Sequence, residues 1–269
     1  YKKNVELYDM HAEQIVEQPE GYINVVSNYV RMCHLFNEDE TCTLLIEKMR
    51  SVSTKSLKAR MAIFKVSYEI ELDILIQQGR FSEGTRIVNA LEHGLALYRG
   101  KIQPNVVMLF YFTIAYIHFG AGDYSKALQW INKILNDKLL HSSRPDFYSF
   151  SLILNLVIHF ELGNTDLIRH AVKTVYRYLY TANRLHKSEE CVLNFIRIKL
   201  PKIETTKKLI TAFGQLKKEL EEITADRYEK LSLEYLDLIS WLKSKIEKRP
   251  FEDVVREKVR ESFHPAPDN

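Results

Sequence analysis

Hydrophobic residues fall at i, i+3 and i+4 through most of this sequence, the spacing of one face of an α-helix. The periodic stretches end at recurring stops. Ile74-Leu75-Ile76 runs into Gly79, Ile117-His118-Phe119 into Gly122, and Ile158-His159-Phe160 into Gly163, at spacings of 43 and 41 residues. One further step back, Leu35-Phe36 runs into Asn37. Glycine, and after it asparagine, tolerates the left-handed backbone that ends a helix. Each stop is followed by a polar pair and a second amphipathic stretch, so the pattern predicts helical hairpins repeating about every 42 residues.

Aligning on the stops brings apolar positions into columns. In the second helix of each hairpin one column reads Ile46, Val88, Ile131, Val172, and three residues later Met49, Leu91, Ile134, Val175. The first helix carries Val30, Leu72, Ala115, Leu156, and one turn earlier Val26, Tyr68, Tyr111, Leu152. These columns predict the faces that pack on neighbouring helices. Near the hairpin bend, Cys42, Gly84, Ala127 and Ile168 share a position. The three small side chains there predict close approach of the two helices, and Ile168 a wider or shifted fourth hairpin. The most apolar stretch, Val106 to Phe119, is shorter than the ~18–20 residues that span a bilayer and predicts a helix buried on two sides.

The segment Tyr111-x-x-Ile114-Ala115-x6-Gly122-Asp123-Tyr124-x-x-Ala127 closely resembles the tetratricopeptide repeat (TPR). The resemblance is good for this repeat, partial around Gly79 and Gly163 and poor around Asn37, and covers roughly residues 20 to 180. The family period is about 34 residues against about 42 here, so helices or inter-repeat loops, such as Leu139–Asp146, must be longer. HEAT-like arrays have a similar period but lack the Gly-Asp-Tyr turn. The expected fold is all-α: a right-handed α–α superhelix of about five antiparallel pairs.

Residues 1–224 are assigned to the TPR-like array. Tyr1 to Val16 reads as the second helix of an earlier pair, ended by Gln18-Pro19-Glu20-Gly21. Lys187 to Lys199, broken by Pro201, pairs with Thr205 to Ile223. Residues 225–262 are assigned to capping helices, one from about Arg227 to Glu247 and one opening at Pro250. Residues 263–269 form an expected disordered tail.

Composition narrows the function. With 46% hydrophobic and 27% charged residues the chain is a folded one, and 9 glycines and 7 prolines are too few for an all-β protein of 269 residues. A net charge of +3, with Lys and Arg interleaved with Glu as in Lys217–Glu222, argues against nucleic acid or an anionic membrane. Cys33, Cys42 and Cys191 form no CxxC motif or disulfide framework, so a reducing, cytoplasmic setting is expected. The chain starts at Tyr1 without an initiator methionine, so the lack of a leader pattern excludes nothing.

Candidate chemistry is sparse. His118 and His159 occupy equivalent positions and could share a metal or a proton, but adjacent helices lie ~8–10 Å apart and no acidic or cysteine column completes a ligand set. The resemblance implies instead a large, half-buried position where each imidazole fills space and finds one hydrogen bond. No GxSxG, phosphate loop or HExxH occurs, and Glu189-Glu190 before Cys191 would raise its thiol pKa. No catalytic residue, metal or cofactor is therefore assigned, and the chain is expected not to be an enzyme.

The resemblance implies that a protein or peptide binds the concave face lined by first helices. Carried onto this sequence, that face has three rows: Ser27, Glu69, Phe112, Ile153; Arg31, Asp73, Tyr116, Val157; and His34, Ile76, Phe119, Phe160. The middle is aromatic and the N-terminal end polar. Such a groove is either open to a partner or closed by another helix of the long repeat. With one Arg and no Lys in the rows, the family's clamp for a C-terminal carboxylate is missing. Two other functions remain: a sensor domain of a longer protein, as in bacterial peptide-pheromone receptors with similar long hairpins, or self-assembly, with residues 225–262 pairing in a homodimer.

Overall fold

The computed structural model describes residues 1–225 and 235–263, and every regular element among them is helical. Two short helices, α1 (Lys2–Met10) and α2 (Ala12–Glu17), precede four hairpins. These are α3 (Pro19–Leu35) with α4 (Asp39–Ser51), α5 (Leu57–Gln77) with α6 (Phe81–Leu97), α7 (Pro104–Gly120) with α8 (Tyr124–Leu135), and α10 (Pro145–Glu161) with α11 (Thr165–Thr181). A one-and-a-half-turn helix, α9 (Lys138–Ser143), stands where a long loop was expected. Then come α12 (Lys187–Asn194), which relaxes into a π-turn at Phe195–Lys199 before Pro201, and α13 (Thr206–Ile223). The chain described ends in α14 (Leu238–Glu247) and α15 (Phe251–Phe263).

The helix boundaries follow local chemistry. Asn37, Gly79, Gly122 and Gly163 all have positive φ, between 58° and 80°, so each predicted stop is a left-handed residue. After Gly122, the Asp123 carboxylate accepts from the Lys126 N–H at 3.2 Å and caps α8. Helices α3, α7 and α10 open on a proline, whose missing N–H costs nothing in the first turn. The single helix expected over residues 1–16 is broken at His11. The helix expected from Arg227 lies partly outside the described residues. Within them it begins only at Leu238, where Asp237 caps it through the Ser240 N–H at 2.9 Å. Residues 264–269 of the expected tail also lie outside them.

Each first helix lies against its own partner and against the next first helix: α3 on α4 and α5, α5 on α6 and α7, α7 on α8 and α10. The apolar columns are the contact surfaces. Ile46, Val88, Ile131 and Val172 are buried, as are Met49, Leu91, Ile134 and Val175, and Val30, Leu72, Ala115 and Leu156. Tyr68, Tyr111 and Leu152 are half-buried at its edge, beside the buried Val26. The small-residue column lies at close contacts of two kinds: the Cys42 thiol donates to the Val30 carbonyl of its own partner helix at 3.6 Å, while a side chain on Gly84 would meet Ile117 of the following hairpin at 3.1 Å.

The buried side chains divide into two clusters. One holds residues from Val5 to Ile74, and the other runs from Phe64 to Val255. Helix α5 serves both, giving Val66, Ile70 and Ile74 to the first and Phe64 and Leu72 to the second.

Candidate partner-binding face

The three predicted rows meet two different surroundings. Toward the N-terminus they join α3 to α5 by polar contacts. The Arg31 guanidinium donates to both Glu69 oxygens at 3.0 and 2.9 Å. His34 Nε2 lies 2.6 Å from Asp73 Oδ2, a carboxylate that also accepts from Gln77 at 3.3 Å. The hydrogen bond to Asp73 raises the His34 pKa against the opposing effect of burial. These groups stay accessible, with the Arg31 side chain 44% and that of Asp73 50% exposed. Ser27 is buried beneath them, and Ile76 is half-buried against the larger cluster. A crevice of about 590 Å³ runs between α3 and α5 along Asn24, Asn28, Arg31 and Lys65.

Further along, the rows are covered. Phe112, Tyr116, Phe119, Ile153 and Val157 are buried, and Phe160 is half-buried. The cover is the chain's own C-terminal segment together with packing between first helices. Phe251, at the start of α15, sits with its ring centroid 6.3 Å from Tyr116, 5.6 Å from Phe119 and 5.4 Å from Phe81. The Asp237 N–H donates to the Tyr116 hydroxyl at 3.1 Å. Burial drives the Tyr116 pKa up, so its hydroxyl stays protonated. Trp241 of α14 packs edge-on to Phe160 at 5.8 Å, and its indole N–H donates to Glu161 at 2.6 Å. Lys245 donates to the same carboxylate at 2.7 Å. Phe112 meets Phe147 of α10 at 5.2 Å, and Tyr235 lies against Phe147 and Phe150.

The C-terminal helices therefore do more than shield the last of the preceding helices. Helix α14 packs on α13, while α15 reaches back to the α5–α6 bend. There Ser82 donates to the Glu252 carboxylate from its hydroxyl at 2.5 Å and from its N–H at 3.3 Å, and Arg256 lies against Gly79. Sequence reasoning placed Trp241 and Phe251 on an apolar face but did not say which surface they would meet. The available signal was complementarity: an aromatic patch on α7 and α10 needs aromatic cover, and this segment carries one of only 2 tryptophans. Where cover ends, a crevice of about 270 Å³ opens, lined by Glu69, Asp73, Phe110, Arg144, Phe147 and Tyr235.

The candidate reactive groups are muted by their surroundings. His118 is buried and its pKa is lowered by desolvation, only partly offset by Asp123. Desolvation lowers His159 as well. Burial and then the Glu219 carboxylate, which accepts from the thiol at 3.3 Å, push Cys191 up to about 12. Among the described residues no three His, Cys, Asp or Glu side chains gather as metal ligands would. No described helix is long and apolar enough to cross a membrane.

No protein-family model matches the chain, and no curated protein or solved structure matches it. The site is defined by its geometry alone: a face of successive first helices, polar and accessible over α3 and α5, aromatic and helix-covered over α7 and α10.

Proposed function

We propose that the chain is a non-enzymatic, TPR-like α-solenoid scaffold, a right-handed superhelix of about five helix pairs that binds a protein or peptide segment on the face of α3, α5, α7 and α10. The observation that carries this reading is that the face already receives a helix. Phe251 enters a cage of Phe81, Tyr116 and Phe119, and Glu252 meets donors at its edge. Buried aromatic anchors with a polar rim are the anatomy of a helix-in-groove interface. Hairpin stops at positive φ and contacts between successive first helices support the repeat reading. The muted histidines and Cys191 agree with a binding role. The homodimer alternative is less favoured, because Leu238, Trp241, Leu242 and Phe251, the residues that would pair between chains, are buried within one chain.

The test is direct. Helical peptides selected for binding to the full chain are measured against Arg31→Glu and Asp73→Lys variants, both altered on accessible surface. Affinity is expected to fall by about tenfold or more, close to 1.4 kcal/mol, with only a small drop in melting point because the pairs lost are exposed. Selected peptides that bind both variants as tightly as the original, and cross-link to the outer surfaces of α4, α8 or α11, would exclude this face.

A further inference from the structure

We infer that α15 is a built-in ligand of this face, and that the partner taken here is an amphipathic helix opening on phenylalanine followed by a carboxylate, which displaces α15. The inference rests on the binding role proposed above and names the partner's chemistry.

The two C-terminal helices are held in different ways. Helix α14 is integrated, with Trp241 and Leu242 buried between α10 and α13. Helix α15 is held by Phe251, Val254 and Val255 and by the Glu252 latch. Outside the pocket it forms ion pairs to the preceding segment, Glu257 with Lys243 at 2.9 Å and with Arg249 at 2.5 Å, and Lys258 with Asp237 at 2.7 Å. Such pairs contribute little.

The pocket for Phe251 and Glu252 is formed by residues on α6, α7 and α8, namely Phe81 and Ser82, Tyr116 and Phe119, and Tyr124, which packs on Phe119 at 5.6 Å, with Gly79 of the α5–α6 bend beside it. Ser82 is in the first turn of α6, so its N–H and the helix dipole favour an anion at the Glu252 position. The pocket thus specifies an aromatic ring and an adjacent carboxylate, whichever chain supplies them.

The join between α14 and α15 is short. Lys248, with φ 54° and ψ 43°, is the left-handed stop that ends α14, where the Arg249 N–H donates to the Ser244 carbonyl at 3.0 Å, and Pro250 then opens α15. Release of α15 would break its ion pairs to Lys243 and Asp237 but leave Trp241 of α14 packed on Phe160 and Phe213.

The experiment uses the full chain and, as probe, a fluorescent peptide of residues 250–261. In wild-type protein the tethered helix competes with the probe. In Phe251→Ala/Glu252→Gln protein the pocket is freed, and the probe should bind about tenfold or more tighter. A probe carrying Phe251→Ala should not bind. In wild-type protein, amides of α15 should exchange hydrogen about tenfold or more faster than those of α7, by local opening. This second measurement decides the matter if the variant does not fold. Equal exchange in α15 and α7, or a folded variant blind to the probe, overturns the inference. If selected peptides still respond to Arg31→Glu and Asp73→Lys in that case, the scaffold reading stands and only the partner chemistry falls. A concentration-dependent dimer exchanging α15 between copies would assign the pocket to self-association and also overturn it.

Discussion

At Arg31 and Glu69 the first-helix face is wet, its charges are paired across α3 and α5, and nothing in the described chain covers it. At Tyr116 and Phe119, one and two hairpins further along, the same rows are dry and lie under Phe251. The difference shows how side-chain type decides what a shared backbone position does. A guanidinium and a carboxylate on neighbouring helices satisfy each other at the surface, where their pairing is worth little but requires no cover. Aromatic rings in the same rows gain most when removed from water, so they recruit the nearest apolar helix available.

The comparison can be broken most sharply at Phe119. Its ring is 1% exposed and touches Tyr116, Tyr124 and Phe251. Phe119→Ala is expected to cost about 3–5 kcal/mol in urea unfolding, while Ile76→Ala, the half-buried equivalent one hairpin earlier, costs less. Equal losses at the two positions would show that the rows do not differ. Next in size is Ala127→Leu, at a fully buried position on α8. Added volume there should destabilise by roughly 1–3 kcal/mol through overpacking, read as a lower melting point. An unchanged melting point would mean that α7 and α8 are looser than described.

Smaller still is Arg31→Ala. It removes an exposed bidentate pair to Glu69 and should change stability by less than about 1 kcal/mol, with the deficit shrinking as salt is added. A loss comparable to that of Phe119→Ala would place the N-terminal rows in a core.

The subtlest contrast is in pH. The folded-state pKa of His34 is raised by Asp73, so its contribution is present below the unfolded value of about 6.5 and fades as pH rises through the raised value. Burial lowers the pKa of His118, so its neutral form is favoured above about 6.5 and stability is lost as pH falls toward the lowered value. Across about pH 5 to 8, His34→Gln should therefore be most costly at the acid end, and His118→Gln should remove part of the acid-side loss, both read as urea midpoints. Parallel pH profiles for the two variants would contradict these opposite environments.

Much of the architecture was legible because it is local. A left-handed stop needs Gly or Asn at one position, and a buried helix face needs apolar residues three and four apart. Asn37, Gly79, Gly122, Gly163 and the columns through Ile131 and Ile134 are written in single residues with a fixed spacing. The break at His11 was not legible because no strong stop or proline marks it, while the starts of α9 and α14 are set by local caps, Asp137 and Asp237, that hydrophobic periodicity alone does not show. The rows themselves could be listed from the sequence, yet whether they are open or closed could not.

The sequence by itself determined that this protein is helical, where its hairpins bend, and which side of each helix is apolar. Only the tertiary structure decided that Trp241 and Phe251 return to cover Phe160, Tyr116 and Phe119, leaving Arg31 and Asp73 accessible. Hairpin geometry is set by contacts among neighbours in the chain. The closing contact joins Ser82 to Glu252, 170 positions apart, and apolar complementarity is non-directional, so many surfaces could have satisfied the same ring.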